Sequence, residues 1–172
     1  SAALNNVDGN GRAQADLNGP TELPVLRAEA FSGVNSSASA QAVGMQGFYY
    51  DGTGNGTYQL DIVLAGIAYD PHVLTSVDGG LSASVLIFRD TDPSTDAPFS
   101  SSYGTQKYEN IPGTPDLEEL ADAGLTLQIT PDNVRHTVST TLSISGLNAG
   151  ELLYVWASVG GEDPARLLAA WK

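Results

Sequence analysis

Apolar and polar residues alternate along several stretches of this chain, and a period of two predicts β-strands. The alternation is clear in Tyr58–Leu64, in Leu125–Ile129 and across Val134–Ile144. Val85–Phe88 is apolar at every position, which is typical of a strand buried on both faces. Further strands are expected at Leu152–Val159 and at residues 166–171.

Residues typical of turns separate these strands. Gly, Asn, Asp and Pro cluster at residues 52–56, 78–80, 148–150 and 160–164. Seven or more short strands with turns between them predict an all-β fold, an antiparallel β-sandwich of the Greek-key or immunoglobulin-like kind. Residues 89–113 are rich in Ser, Thr, Pro and Asp, and they predict a long loop.

One segment carries helix signals instead. Thr114 is a capping residue, Pro115 stands at the first helical position, acidic residues follow in the first turn, and Gly124 closes the segment. The sequence therefore predicts one short helix near residues 115–123, in a connection between strands.

Residues 1–15 differ from the rest because Leu4 and Val7 are their only large apolar side chains. Ordering each residue costs about 1–2 kcal/mol of backbone entropy, and burying two such side chains returns only about 1.5–3 kcal/mol each. We therefore predict a flexible N-terminal arm at 1–15 and a single sandwich domain at 16–172. The segment from Ala2 to Asn10 is expected to become ordered only as a strand added to another copy.

The overall composition excludes several functions. The chain of 172 residues has a net charge of −13, which disfavours nucleic acid and anionic lipid as partners. No apolar run approaches the roughly 20 residues that span a bilayer, so we expect no membrane insertion. Cysteine is absent, which excludes disulfides, thiolate catalysis and Cys-ligated zinc. The chain begins at Ser1 without methionine, as a mature chain does after signal removal, so we expect export.

Two segments space oxygen-bearing side chains as calcium loops do. The candidate ligands are Asp51, Thr53 and Asn55 in one segment, and Asn6, Asp8, Asn10 and Asp16 in the other. Position twelve, which an EF-hand fills with Glu, is Ile62 in the first segment and Leu17 in the second. Gly-rich turns explain the same residues without a metal. We therefore expect no cofactor, and calcium is the one metal that remains an alternative.

The chain has two histidines, His72 and His136, too few for a copper or zinc enzyme of the superoxide dismutase kind. His136 shares a strand face with Val134 and Val138, and we expect it to be half-buried. No Gly-x-Ser-x-Gly element is present. The sequence therefore predicts no enzyme.

Aromatic residues form another candidate site. Phe48, Tyr49 and Tyr50 are consecutive, so at least one must point away from the core. Tyr154 and Trp156 share one face of a strand. Outward rings can stack on sugars or form a protein interface, or they can be covered by other parts of the chain.

Both ends of the chain resemble one family. The stretch ADLNGPTELPVL at residues 15–26 resembles the opening motif of CHRD (chordin-type) domains, and residues 146–171 resemble the close of that domain. The matching positions are Leu17, Gly19, Glu22, Pro24, Val25, Gly150, Leu153, Tyr154, Val155 and Arg166. The resemblance implies an extracellular or envelope β-sandwich without established catalysis. His72 stands alone where the family carries two histidines, so a metal role of that pair does not carry over.

These features together predict a secreted or cell-surface, non-enzymatic structural or adhesive module. We expect it to assemble with itself in extracellular matrix or filaments, because it has a detachable arm, no anchor, and apolar residues on both faces of Leu152–Val159. The alternatives are a carbohydrate-binding module that uses exposed aromatic residues, with matrix polysaccharide as partner, and a calcium-binding surface protein.

Overall fold

The computed structural model describes residues 2–6, 9–16, 25–32, 38–52, 56–68, 79–91, 117–129, 132–163 and 166–171. These residues form ten strands and, within the described ranges, no helix. The strands are β1 (Ala2–Asn6), β2 (Gly9–Asp16), β3 (Val25–Ser32), β4 (Ala38–Tyr49), β5 (Tyr58–Ala68), β6 (Gly79–Asp90), β7 (Leu117–Ile129), β8 (His136–Ile144), β9 (Leu152–Asp163) and β10 (Arg166–Trp171).

The strands form two antiparallel sheets. The larger sheet has the order β1-β2-β3-β10-β5-β8, and the smaller has the order β4-β9-β6-β7. Their facing sides share one apolar core, so the predicted all-β sandwich is confirmed. The larger sheet contributes Leu26, Ala28, Leu60, Ile62, Leu64, Leu142 and Ile144, and the smaller contributes Ala42, Leu81, Ala83, Val85, Ile87, Leu125, Ile129, Leu153, Val155, Ala157 and Val159.

The alternation in Tyr58–Leu64 explains how β5 lies in the sandwich. Leu60, Ile62 and Leu64 are buried, while Gln59 and Asp61 are exposed. Residues Val85–Phe88 on β6 are all buried, as the unbroken apolar run predicts. β6 has a neighbour on each side in the centre of the smaller sheet, which is where a strand buried on both faces belongs.

The predicted helix near 115–123 is wrong, because Leu117–Ile129 is strand β7. From Ala121 to Ile129 every second residue turns inward, while Asp122, Gly124 and Thr126 are exposed between them. Capping signals contribute only about 1 kcal/mol each. The hydrogen-bonded ladder with β6 and the burial of this alternating face outweigh them. The register shifts between Ile87 and Phe88, which accommodates one extra residue on β7.

The N-terminal segment also differs from the predicted arm. Ala2–Asn6 and Gly9–Asp16 pair with each other, and β2 pairs with β3 in the same chain. The predicted boundary at residue 15 therefore falls inside β2. The backbone N–H and C=O groups of this segment form hydrogen bonds in the two ladders. Such a strand can pair even though it has few of the large apolar side chains that a separate core would need. Whether residues 1–15 can separate from the domain stays a prediction.

Candidate functional site

The loop after β4 crosses from one sheet to the other beside the loop after β8. The Tyr50 N–H donates to Glu151 O at 2.8 Å, and the Gly150 N–H donates to Tyr50 O at 2.7 Å. Further round the corner the Leu147 N–H donates to Gly56 O at 3.0 Å. These bonds continue the β4–β9 ladder into the β5–β8 ladder. The connection after Tyr50 is thus a corner between the two sheets, because β4 belongs to the smaller sheet and β5 to the larger.

Glycine is required at two positions of this corner. Gly52 and Gly56 have φ of +76° and +73°, a region that residues with a Cβ rarely adopt. A Cβ on Gly52 would lie 2.5 Å from Ala149 Cβ, and one on Gly56 would lie 2.8 Å from Leu147 O. The turn interpretation therefore explains the glycines without an ion.

The first candidate calcium loop is described only in part. Asp51 is exposed, while Thr53 and Asn55 lie outside the described residues. Across the described residues, no three His, Cys, Asp or Glu side chains lie close enough together to hold a metal ion. Calcium at this loop stays a prediction.

The second candidate calcium site is also described only in part. Asn6 ends β1, and Asn10 and Asp16 both lie on β2, while Asp8 lies outside the described residues. Asn10 and Asp16 are six residue steps apart along this strand, about 20 Å at 3.3 Å per residue. Calcium at this segment stays a prediction.

The four candidate aromatic residues point in different directions. Tyr49 is 69% exposed and lies on the outer face of the smaller sheet, whereas Tyr50 is buried in the core. Tyr154 and Trp156 lie on that outer face opposite Gly47 and Met45, and both are half-buried. These rings therefore do not make an exposed row.

The neighbouring strand explains why this outer face is not open. Leu86 pairs with Trp156 and Phe88 pairs with Tyr154, so all four side chains share one face. Leu86 is only 7% exposed and Phe88 only 3%, although neither belongs to the core cluster between the sheets. This half of the outer face is thus largely covered.

Inside the corner, two rings join the sheets. The ring centroids of Phe48 and Tyr58 lie 5.2 Å apart, at an interplanar angle of 41°. Burial raises the pKa of the Tyr58 phenol, so the ring stays neutral over the physiological range.

Arg89 forms ion pairs and a hydrogen bond near the corner, at the same end of the sandwich as Phe48 and Tyr58. Its guanidinium contacts Glu118 at 3.2 Å and Glu151 at 3.2 Å, and it donates to the Gly146 carbonyl at 3.5 Å. Burial raises the pKa of Glu151, but hydrogen bonds from Asn148 and the charge of Arg89 outweigh it, so that this pKa falls below its usual value. The cluster links β6, β7 and the turn before β9, and its groups are paired with one another as in a structural staple.

A second contact between polar side chains lies at the start of β8. The His136 Nε2 atom is 3.0 Å from Asp132 Oδ2, and the Val134 N–H donates to Asp132 Oδ1 at 2.8 Å. The Val134 hydrogen bond, followed by that of His136, lowers the pKa of Asp132. His136 is half-buried as predicted, and its partner is the carboxylate of Asp132, four residues earlier in the chain.

Only some of the positions that carry the family resemblance lie in the described part of the chain. Gly150, with φ of +86°, lies in the turn before β9, and Tyr154 lies on β9 itself. Arg166 is the first residue of β10, where it pairs with Phe31 of β3. Outside the described residues lie Leu17, Gly19, Glu22, Pro24 and His72.

The outermost strands differ sharply in charge. β7 carries the exposed acids Glu118, Glu119 and Asp122, which discourage another strand from pairing at that edge. β4 is twelve residues long, ends the smaller sheet, and contains no charged residue. The whole sequence from Ala30 to Tyr50 is uncharged, a signal that a search for charge-free runs would have found.

Comparison with known proteins adds no relative. No protein-family model matches the chain, and no curated protein matches it. In the part of the chain that is described, no helix is both long and apolar enough to cross a membrane.

Proposed function

We propose that the protein is a non-enzymatic structural or adhesive β-sandwich of the cell surface or extracellular matrix, and that it assembles with copies of itself through the edge of β4. The observation that carries this proposal is an edge strand of twelve residues without charge, in a chain of net charge −13. The extracellular location is supported by the resemblance of the chain ends to CHRD domains.

The physical argument starts from the backbone of β4. An edge strand presents a row of N–H and C=O groups that can pair with another strand, and proteins commonly block such edges with charge, proline or a bulge. The ladder between β4 and β9 runs without a register shift, and β4 contains none of these blocking residues.

Charge then favours this edge over the others. Copies of an acidic chain repel one another, and the repulsion is weakest where uncharged surfaces approach. β7 would bring Glu118, Glu119 and Asp122 against the partner. β8 is shorter and begins at His136, beside the exposed Arg135 and Asp132. Among these three strands, β4 is therefore the edge at which self-association costs least.

The exposed aromatic residue fits the same interface. Tyr49 is the last residue of β4, and its side chain is the most exposed large hydrophobic group described. A strand added beside β4 would cover part of this ring. A sugar site of the usual kind needs several exposed rings in a row, whereas Tyr50 is buried and Trp156 is half-buried.

A lysine on β4 tests the proposal. In Gln41→Lys an exposed outer-face side chain of β4 gains a charge, which should oppose strand addition. Ser82→Lys is the matched control, because it makes the same change of charge at an exposed outer-face position of the central strand β6. We expect wild type and Ser82→Lys to form large particles in light scattering and electron microscopy, and Gln41→Lys to remain small. Equal assembly of all three proteins would contradict the role of β4, and a wild type that stays monomeric at every concentration and salt would contradict self-assembly itself.

A further inference from the structure

The two layers of the sandwich are unequal, and the difference lies beside the edge of β4. The larger sheet has six strands and the smaller has four. Across the sandwich, β2 and β3 lie against β4, β3 and β10 lie against β9, and β8 lies against β7. Among the described strands, β1 contacts only β2 to any extent. The larger sheet therefore extends one strand past β4.

An unequal sandwich is physically incomplete at the longer side. Each strand gains its stability both from ladder hydrogen bonds and from a facing layer that keeps water off one side. β1 has the ladder with β2, and β4 has the ladder with β9. Among the described strands, β1 has no facing strand, and β4 is paired on one side only, with β9.

Transfer of a single strand removes both defects. If β1 leaves β2 and pairs with the edge of β4 in a neighbouring copy, each sandwich changes from six and four strands to five and five. The number of strands per copy stays the same. The added strand would lie beside β4 and under β2, which already faces β4.

The charges of the two strands permit this pairing. β1 has the sequence AALNN, which is uncharged like β4. No like charges are brought together when the two pair, in contrast to a strand placed against β7. β1 is five residues long, so it would occupy less than half of β4.

Pairing of β4 with β4 of a second copy is the obvious rival, but it conflicts with the same overhang. In such a symmetric pair each larger sheet would extend past its own β4 into the space above the partner. The two β1 strands would then compete for one position. Transfer of β1 avoids this conflict, because it removes the overhanging strand.

We propose that β1 of one copy is the strand that completes the β4 edge of the next copy, so that the contact runs head to tail. This proposal rests on the proposed function and names its partner surface. A head-to-tail contact that does not close into a ring builds an open filament. The connection from Asn6 to Gly9 spans only three residue steps, about 10 Å when extended, so neighbouring copies must be in direct contact.

A removable lock on β1 tests the transfer. Ala2 pairs with Ala13 across the β1–β2 ladder, and opposed residues of an antiparallel ladder lie at the Cα separation that a disulfide needs. Because the chain has no cysteine, the double variant Ala2→Cys with Ala13→Cys has a single bond to form. The matched control is Ser82→Cys with Thr126→Cys, an exposed opposed pair on β6 and β7.

We expect the oxidised β1 lock to abolish particle formation and reduction to restore it, while the oxidised control assembles like wild type. A second variant, deletion of residues 1–7, should also stay monomeric with a cooperative melting transition, and it covers the case in which the lock does not form. Undiminished assembly of either the oxidised lock or the deletion variant would overturn the transfer.

The same measurements separate this proposal from the proposed function. If wild type assembles and Gln41→Lys does not, but the locked protein still assembles, then the β4 edge is used and β1 is not its partner. If the lock blocks assembly but Gln41→Lys still assembles, then β1 pairs with an edge other than β4. That result would overturn the proposal that β4 accepts β1. If wild type itself never assembles, the proposed function fails first.

Discussion

The ring of Tyr154 lies against the backbone of Gly47, its direct partner across the β4–β9 ladder. A Cβ built on Gly47 would stand 2.8 Å from Tyr154 Cε1 and 3.0 Å from Cδ1. The aromatic ring thus covers a glycine that would otherwise weaken the strand, a known way to stabilise glycines near a sheet edge.

The first prediction concerns this contact. Gly47→Ala should destabilise the protein by about 1–3 kcal/mol, because the methyl group displaces the ring from a well-packed position. Gly124→Ala is the control, since a Cβ there meets nothing within 4 Å. It should be neutral or stabilising by up to about 1 kcal/mol. Chemical denaturation of both variants measures the difference, and equal stabilities would contradict the close contact.

The second prediction separates two reasons for a glycine at the corner, namely a positive φ and a close neighbouring atom. Gly52 and Gly146 both have φ of +76°, but only Gly52 has a close neighbour, Ala149. Gly146→Ala should cost about 1–2 kcal/mol for the left-handed backbone alone. Gly52→Ala should cost about 1–3 kcal/mol more through the clash. If thermal melting ranks the two variants as equal, the packing of the corners against each other is not as described.

The third prediction is a loss of stability in acid. The pKa of Asp132 is lowered from its usual 3.8, and that of Glu151 from its usual 4.5. A carboxyl with a lower pKa in the folded chain stabilises the fold at pH above its unfolded value, and this contribution disappears as pH falls through the folded value. Asp132→Asn should therefore melt below wild type at pH 6, and the gap should close below about pH 4 as the wild-type carboxyl becomes protonated. A gap that stays constant down to pH 2 would show that the charge of Asp132 does not contribute.

The fourth prediction concerns calcium. A native-state site with a dissociation constant of about 0.1 mM would add roughly 1.4 kcal/mol at about 1 mM ion, which raises the melting temperature by a few degrees. The corner is explained by glycine geometry, so we expect melting curves with calcium and with chelator to coincide. A clear shift that disappears in Asp51→Asn would establish the first candidate loop as a site.

The fifth prediction is that salt promotes assembly. Approach of two chains of net charge −13 is opposed by repulsion, which salt screens over a Debye length of about 8 Å at physiological ionic strength. Light scattering should therefore rise with sodium chloride and then level off. Assembly that is strongest at low salt would point to ion pairs between copies, for example from Arg27 or Arg135 to acidic groups.

The sequence was most informative where burial alone decides the structure. The alternation in Tyr58–Leu64 and the unbroken run Val85–Phe88 follow directly from which faces are buried, and both strands could be predicted. The alternation at Leu125–Ile129 also predicted the second half of β7. The first half could not be predicted, because its capping signals are local whereas its ladder depends on β6, a strand that comes earlier in the chain. A long-range pairing overrides a local preference when it also buries an alternating face.

The candidate sites show a similar division. The role of Gly52 as a turn residue could be read from its neighbours in the sequence. The cover of Gly47 by Tyr154 could not, because the two residues come from strands far apart in the chain. β4 falls between these cases, since its lack of charge is visible in the sequence but its position at the end of the sheet of described strands is not.

The pairing of β4 with β9 also has a consequence for folding during synthesis on the ribosome. Tyr49 pairs with Leu152, so β4 leaves the ribosome about 100 residues before its partner, or roughly 5–20 s earlier at ordinary rates of synthesis. During that interval the uncharged strand β4 has no partner strand, and nascent chains on one polysome are close together. Folding dominated by such distant pairings is slow, and it exposes unpaired strands to premature association. The time before β9 is synthesised is therefore the period in which β4 is most exposed to pairing with another chain.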